Sequence, residues 1–139
     1  MPDIVVNAEG FSFLAITSLY IALNAIVMLG LAYMVVRARQ ANFKSGGKLT
    51  EARDNWVRSH GNNIEYVPMA LLLMAALEFQ GAGAWFLHGL GIVLTLSRIA
   101  HGYGRGIADA GNPGRMFGTL GTWVMILVAA VGVLYLVAT

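Results

Sequence analysis

Four apolar stretches, residues 11–36, 62–79, 84–103 and 116–137, take up most of the chain. Each approaches the ~20 residues that an α-helix needs to cross the hydrocarbon core of a bilayer. The pattern predicts an all-α membrane protein, a four-transmembrane-helix bundle forming one domain over residues 1–139. Breaks fall where turn-forming residues cluster. Residues 40–56 contain Ser45-Gly46-Gly47 and read as a loop, and Gln80-Gly81-Ala82-Gly83 reads as a short uncharged hairpin. Within the spans, Thr17, Ser18 and Asn24 are expected to make interhelical hydrogen bonds, and Gly114, Gly118 and Gly121 to let helices approach closely. Pro68 leaves the carbonyl of residue 64 without its usual donor. His88, far from most of the charge, is expected to meet lipid headgroups.

Composition supports the membrane reading. Only 12% of the residues are charged and 58% are hydrophobic, whereas about 25% of a soluble domain is charged. Mean hydropathy is +0.68. There is no cysteine, so the chain offers no disulfide, no thiolate metal site and no cysteine nucleophile. Thiol chemistry would need a thiol brought by the substrate, and no metal site is expected. The first ten residues carry Asp3 and Glu9 and no Lys or Arg, the wrong charge for a secretory leader, so the first span is expected to be retained. No basic run interleaved with aromatics suggests nucleic acid. Between Arg37 and Arg58, six Lys and Arg residues oppose Glu51 and Asp54, and Arg105 and Arg115 mark a second basic loop. The positive-inside rule then puts both loops in the cytoplasm and both termini in the periplasm or its equivalent.

The remaining charge is unevenly spread. Arg37 and Arg39 end the first span, while Arg58, His60 and Glu65 lead into the second. Arg98 and His101 close the third, and Arg115 opens the fourth. A small bundle would gather these five arginines, two histidines and one carboxylate around a single cytoplasmic-facing mouth. On a helix, Arg58, Asn62 and Glu65 stand at i, i+4 and i+7 and share a face. A polar ladder entering a membrane is costly, and such features usually serve a ligand or a partner. Topology alone explains Lys44, Lys48 and Arg53, but it explains Glu65 less well. Glu65 either pairs with Arg58 or Arg98 as a structural ion pair or contributes to a ligand site, and the pattern allows both. Several guanidiniums suit an anion with more than one carboxylate, and a carboxylate among them suits an ammonium group. Asn62, Tyr66 and Tyr103 would add neutral hydrogen bonds. A polyanionic zwitterion beside a lipid-facing groove satisfies this set, although spacing alone does not name it. The glycines from Gly102 onward are not a dinucleotide loop, because no strand precedes them.

These motifs, in this order, resemble the MAPEG family (membrane-associated proteins in eicosanoid and glutathione metabolism). Arg58, Asn62, Glu65 and Tyr66, followed by Pro68, match its R-x-x-x-N-x-x-E-Y motif. Val36, Arg37 and Arg39 match V-R-x-R, Arg98 and His101 match R-x-x-H, and Pro113 with Arg115 completes the series. H-G-N-x-x-E-Y-x-P together with L-H-G-L-G-I-V-L looks like the bacterial inner-membrane branch. The resemblance implies a homotrimer of four-helix protomers with sites between neighbouring subunits, glutathione as co-substrate, and lipids or hydrophobic small molecules as partners. By position, Arg37, Arg58, Asn62, Glu65, Tyr66, Arg98 and His101 would hold glutathione, and Arg115 would stabilise its thiolate as the catalytic residue. Eicosanoid-forming members often carry a tyrosine four positions past the span-three histidine. Here that position is Arg105, which competes with Arg115 for the thiolate, and the nearest tyrosine is Tyr103.

Three functions follow from this reading. The first is a membrane-bound glutathione transferase, also a peroxidase, acting on hydrophobic electrophiles. The second is a non-catalytic family member that binds a lipid and presents it to a partner. The third, a small proton-coupled exporter, would need an acid deep in the first span, and there is none after Glu9.

Overall fold

A computed structural model of the chain describes residues 14–106 and 112–139. Asp3, Glu9, the start of the first predicted span (11–13) and loop residues 107–111 lie outside the described residues. Four helices follow one another: α1 (Ala15–Lys44), α2 (Thr50–Phe79), α3 (Ala84–Gly106) and α4 (Pro113–Ala138). All four predicted spans are helices, and two of them extend well beyond the apolar run.

The expected loop over residues 40–56 is confined to 45–49. Hydropathy marks where a helix enters the membrane, not where it begins. Residues 50–61 contain no proline and no turn cluster, so the helix continues beyond the apolar run, with Glu51 and Arg58 exposed and Ser59 buried against the bundle. The turn itself is tightly tied. Gly46 and Gly47 take positive φ (65° and 87°), and Gly47 N–H donates to the Asn42 carbonyl at 2.9 Å, a bond that closes a helix C-terminus. The Asn42 side chain accepts Leu49 N–H at 3.0 Å and holds the start of α2 against the end of α1. A similar closure ends α2, where Gly81 has φ 82° and Ala82 N–H donates to the Leu77 carbonyl at 2.9 Å. Asn112 caps α4 by accepting Gly114 N–H at 2.8 Å, with Pro113 in the first helical position.

The core fills the half of the bundle away from the basic ends. Tyr20, Met74, Leu77, Leu87, Leu90, Leu94, Met125 and Ala129 form one buried cluster contributed by all four helices. Leu31, Val35 and Trp56 form a smaller one nearer the α1–α2 turn. α1 and α4 are long and apolar enough to cross a membrane by themselves. Their outward faces carry exposed Leu29, Leu127, Leu134 and Val137, as a lipid-facing surface requires. α2 and α3 owe their lower apolarity to the polar residues they bring to the site. The glycines of α4 act as expected for packing. A Cβ at Gly118 would strike the Ser97 carbonyl and the His101 backbone, and one at Gly121 would meet the Ser97 hydroxyl.

At the opposite end, Glu78 of α2 performs a task that the sequence did not reveal. Its carboxylate accepts the backbone N–H groups of Ile16 (2.9 Å) and Thr17 (2.7 Å). The residue before α1, Leu14, provides no side-chain cap, so a side chain some 60 positions away satisfies donors that a helix start leaves open. Replacing Glu78 by alanine should destabilise the protein by about 1–2 kcal/mol, the usual cost of a lost N-cap. A thermal midpoint in detergent that is unchanged from wild type would refute the capping role. His88 also departs from expectation. Rather than standing free for headgroups, its Nδ1 lies 3.0 Å from the Tyr20 hydroxyl, whose oxygen is also 3.2 Å from the His88 carbonyl. Gly91 allows this contact, because the Tyr20 ring occupies the space a Cβ would need.

Candidate functional site

The polar face of α2 and the last turns of α3 meet at the end of the bundle opposite Glu78. Arg58, Gly61, Asn62 and Glu65 from α2 and His101 and Arg105 from α3 line a recess of about 300 Å³. The register follows from helical period. Arg58, Asn62 and Glu65 recur every three or four residues on α2, and His101 and Arg105 are four apart on α3.

Beneath the recess lies Arg98, only 1% exposed. Its Nη1 donates to Asn62 Oδ1 at 2.8 Å, and its Nη2 donates to the Gly118 carbonyl at 3.0 Å. The same carbonyl accepts the Thr122 hydroxyl at 2.9 Å. The guanidinium carbon stands 5.9 Å from the centre of the Tyr66 ring, within cation–π range. One buried cation thus ties together α2, α3 and α4 directly under the recess. The helices can come this close because Gly118 has no side chain.

The Glu65 ion pair does not form. Among the described residues the one salt bridge within 4.0 Å joins Arg53 to Asp54, at the far side of the α1–α2 turn. Arg98 is committed to Asn62 and Gly118, which leaves the exposed Glu65 and Arg58 facing the recess without each other. Tyr66 packs on Arg98 and does not line the recess. Arg115, in the first turn of α4, stands behind Arg105. Its backbone occupies the space a side chain at Gly104 would need. Burial, and then the charges of Arg115 and Arg58, lower the Arg105 pKa from its ordinary value, as expected for a guanidinium among cations at the membrane border.

Two predicted residues lie elsewhere. Tyr103 is 62% exposed. Two positions from His101, it is turned roughly 200° around α3, given 3.6 residues per turn. Arg37 sits on the exposed side of α1, stacked 5.9 Å from the centre of the Tyr33 ring. Neither lines the recess. Gly61 does, and its signal in the sequence was the His60-Gly61-Asn62 run.

This arrangement can receive an anion at Arg58 and Arg105, an ammonium group at Glu65 and neutral hydrogen bonds at Asn62 and His101. The sequence profile of the MAPEG family matches residues 17–135. The chain belongs to the MAPEG family. Among its relatives, inner membrane protein YecN of Escherichia coli strain K12 is 37% identical over 90 residues, covering 64% of this chain and 69% of the relative. YecN of Escherichia coli O6:H1 matches to the same extent. No solved structure matches the chain. Family membership, together with the lipid-exposed faces of α1 and α4, makes this an integral membrane protein.

Proposed function

We propose that this MAPEG protein is a membrane-bound glutathione transferase of the bacterial inner membrane, with peroxidase chemistry available to the same thiolate. One observation carries the reading: Glu65, a carboxylate with no ion pair among the described residues, shares a recess with Arg58, Arg105, Asn62 and His101. Glutathione has the complementary groups, with two carboxylates, one ammonium and a thiol. A free thiol ionises near pKa ~8.5, and adjacent cations bring that toward ~7 or below. Arg115, by its position in the family motif, and Arg105 are the cations for this task. The thiolate sulfur then attacks an electrophile dissolved in the bilayer. With an aryl halide, the C–S bond forms as the carbon–halogen bond breaks and halide leaves.

The basic ends of the helices support an orientation with the recess toward the cytoplasm and both termini toward the periplasm, by the positive-inside rule. A homotrimer with its sites between subunits would also explain Arg37, which lies outside the recess of its own protomer and would serve a neighbour's. The second reading, a non-catalytic lipid-binding member, draws on the apolar groove of about 480 Å³ between α1 and α2, lined by Ile21, Met28, Val67, Leu71 and others.

The two readings are separated by titrating the purified protein with glutathione while recording thiolate absorbance in the near ultraviolet. Binding at or below cellular millimolar concentration, a thiolate band at neutral pH and conjugation of an aryl halide are expected. Absence of binding at such concentrations would refute the transferase. Binding without a thiolate or turnover would favour the lipid presenter.

A further inference from the structure

Arg39, Asn42 and Phe43 of α1 and Arg53, Asp54 and Val57 of α2 line a second recess, of about 520 Å³, beside the α1–α2 turn. We propose that this recess holds the phosphate of an anionic phospholipid, in the leaflet nearest the turn, through Arg39, Arg53 and Asn42. The site is separate from the one between α2 and α3 and does not depend on the glutathione reading.

Its donors are open. Arg39 is exposed and forms no ion pair among the described residues. Arg53 Nε donates to Asp54 Oδ1 at 2.9 Å, and Nη2 stands 2.9 Å from the same oxygen, which leaves Nη1 free. Neighbouring residues on a helix do not face each other, so Arg53 has to fold back to reach Asp54. A half-exposed pair of this kind is weak and exchanges readily for a better anion. Asn42 is buried, at 8% exposure, and its Oδ1 accepts Leu49 N–H at 3.0 Å, which fixes the plane of the amide. Its Nδ2 donates to no group among the described residues, yet it is not sealed as the Nε atoms of Arg98 and Arg105 are. Two guanidiniums and one oriented amide thus converge on the recess against a single carboxylate. Such a set suits a phosphate.

The helical register says what the phosphate is attached to. Arg39, Asn42 and Phe43 each stand eighteen residues, or five helical turns, after Ile21, Asn24 and Ala25. Arg53, Asp54 and Val57 stand the same eighteen residues before Leu71, Leu72 and Ala75. Those six partners all line the apolar groove between α1 and α2. Groove and recess therefore lie on one face of the helix pair, one above the other. Arg39 follows Val36, the end of the apolar run, by three residues, a rise of ~4.5 Å. That height falls within a headgroup layer of roughly 5–7 Å. Met28, at the near end of the groove, is eleven residues below Arg39, a distance of ~16 Å and about the depth of one leaflet of hydrocarbon. A phosphate held at the two arginines sends its acyl chains down this face to the groove. A soluble anion would use the cations and leave the apolar face uncovered.

The test presents the full chain, in neutral detergent, with phosphatidylglycerol and phosphatidylcholine of identical chains and counts retained lipid by native mass spectrometry. Each arginine beside an anionic headgroup contributes about a fivefold preference. Wild type should therefore favour phosphatidylglycerol by about tenfold or more. R39Q and R53Q should each lose about fivefold of that preference. Asn42→Asp should lose about tenfold, because it keeps the oxygen that accepts Leu49 N–H but replaces the open donor with negative charge. K48Q alters an exposed cation of the turn outside the recess, and it should change the preference less than about twofold. A loss in K48Q equal to that in R39Q would reveal diffuse surface charge and overturn the site. Equal retention of the two lipids by wild type would overturn it too. So would displacement of phosphatidylglycerol by glycerol phosphate at matching concentration, which would make the ligand a soluble phosphate. If R39Q or R53Q alters the number of copies in the assembly while lipid preference stays intact, the face is a contact between copies and the proposal fails.

Discussion

Replacing Arg98 by alanine is expected to destabilise the protein by about 3–5 kcal/mol, the largest single effect foreseen for this fold. Two costs add. The guanidinium and its stem fill space that is 1% exposed, and emptying such a site costs about 2–5 kcal/mol. The change also strips the donor from Asn62 Oδ1 and one of the donors from the Gly118 carbonyl, and a buried acceptor left unpaired costs about 1–3 kcal/mol. The estimate lies below the full sum because the buried cation itself carries a desolvation penalty that alanine relieves. Arg98→Met separates these terms. It refills most of the volume, so it should recover part of the stability, yet it leaves Asn62 unanchored under the recess. Thermal unfolding in detergent should therefore rank wild type above methionine and methionine above alanine. Glutathione affinity should fall for both. An alanine variant within about 1 kcal/mol of wild type would mean that Arg98 does not tie the three helices together.

Replacing Arg58 by alanine should weaken glutathione binding by about ten- to a hundredfold, the equivalent of one charged hydrogen-bonding contact worth about 1.5–3 kcal/mol. Glu65→Gln should lose a similar amount through the ammonium group. Both side chains are exposed and neither forms an ion pair among the described residues, so stability should barely change. That contrast with Arg98 is diagnostic: on the proposed reading Arg98 would act through the fold, whereas Arg58 and Glu65 would act on the ligand. A glutathione analogue lacking the amino group should bind Glu65→Gln and wild type about equally, because it has no group for the carboxylate to hold. Equilibrium binding to each variant decides the matter. If Arg58→Ala and Glu65→Gln bind glutathione as wild type does, these residues belong to the membrane border and not to a site.

Much of the site was legible because helical period is rigid. Arg58, Asn62 and Glu65 had to share one face, and the structure brings His101 of α3 beside them. The fate of Glu65 was not legible. Pattern left it open between an ion pair and the recess, and the answer came from Arg98, whose donors were already taken by Asn62 and a backbone carbonyl of α4. No spacing rule reports that a main-chain oxygen 20 residues away will claim a guanidinium. Tyr103 was included for its chemistry, but its angle around α3 carries it outward. Arg105 had been noticed only as a competitor to Arg115. The clue to its placement lay in the glycines on either side, and their meaning depends on which helix each one touches.

By itself the sequence determined that four apolar helices form and that the ionisable residues collect at one end. Apolar run length, helical period and the cost of charge in hydrocarbon are local properties of the chain, and they leave little freedom. Only the tertiary structure decided that Glu78 caps α1 from another helix, that Arg98 is a buried tie and that Arg105 lines the recess. Each of these depends on an orphan backbone group or a missing Cβ on one helix meeting a side chain from another. Such meetings are fixed by how the helices pack, and packing joins positions far apart in the chain.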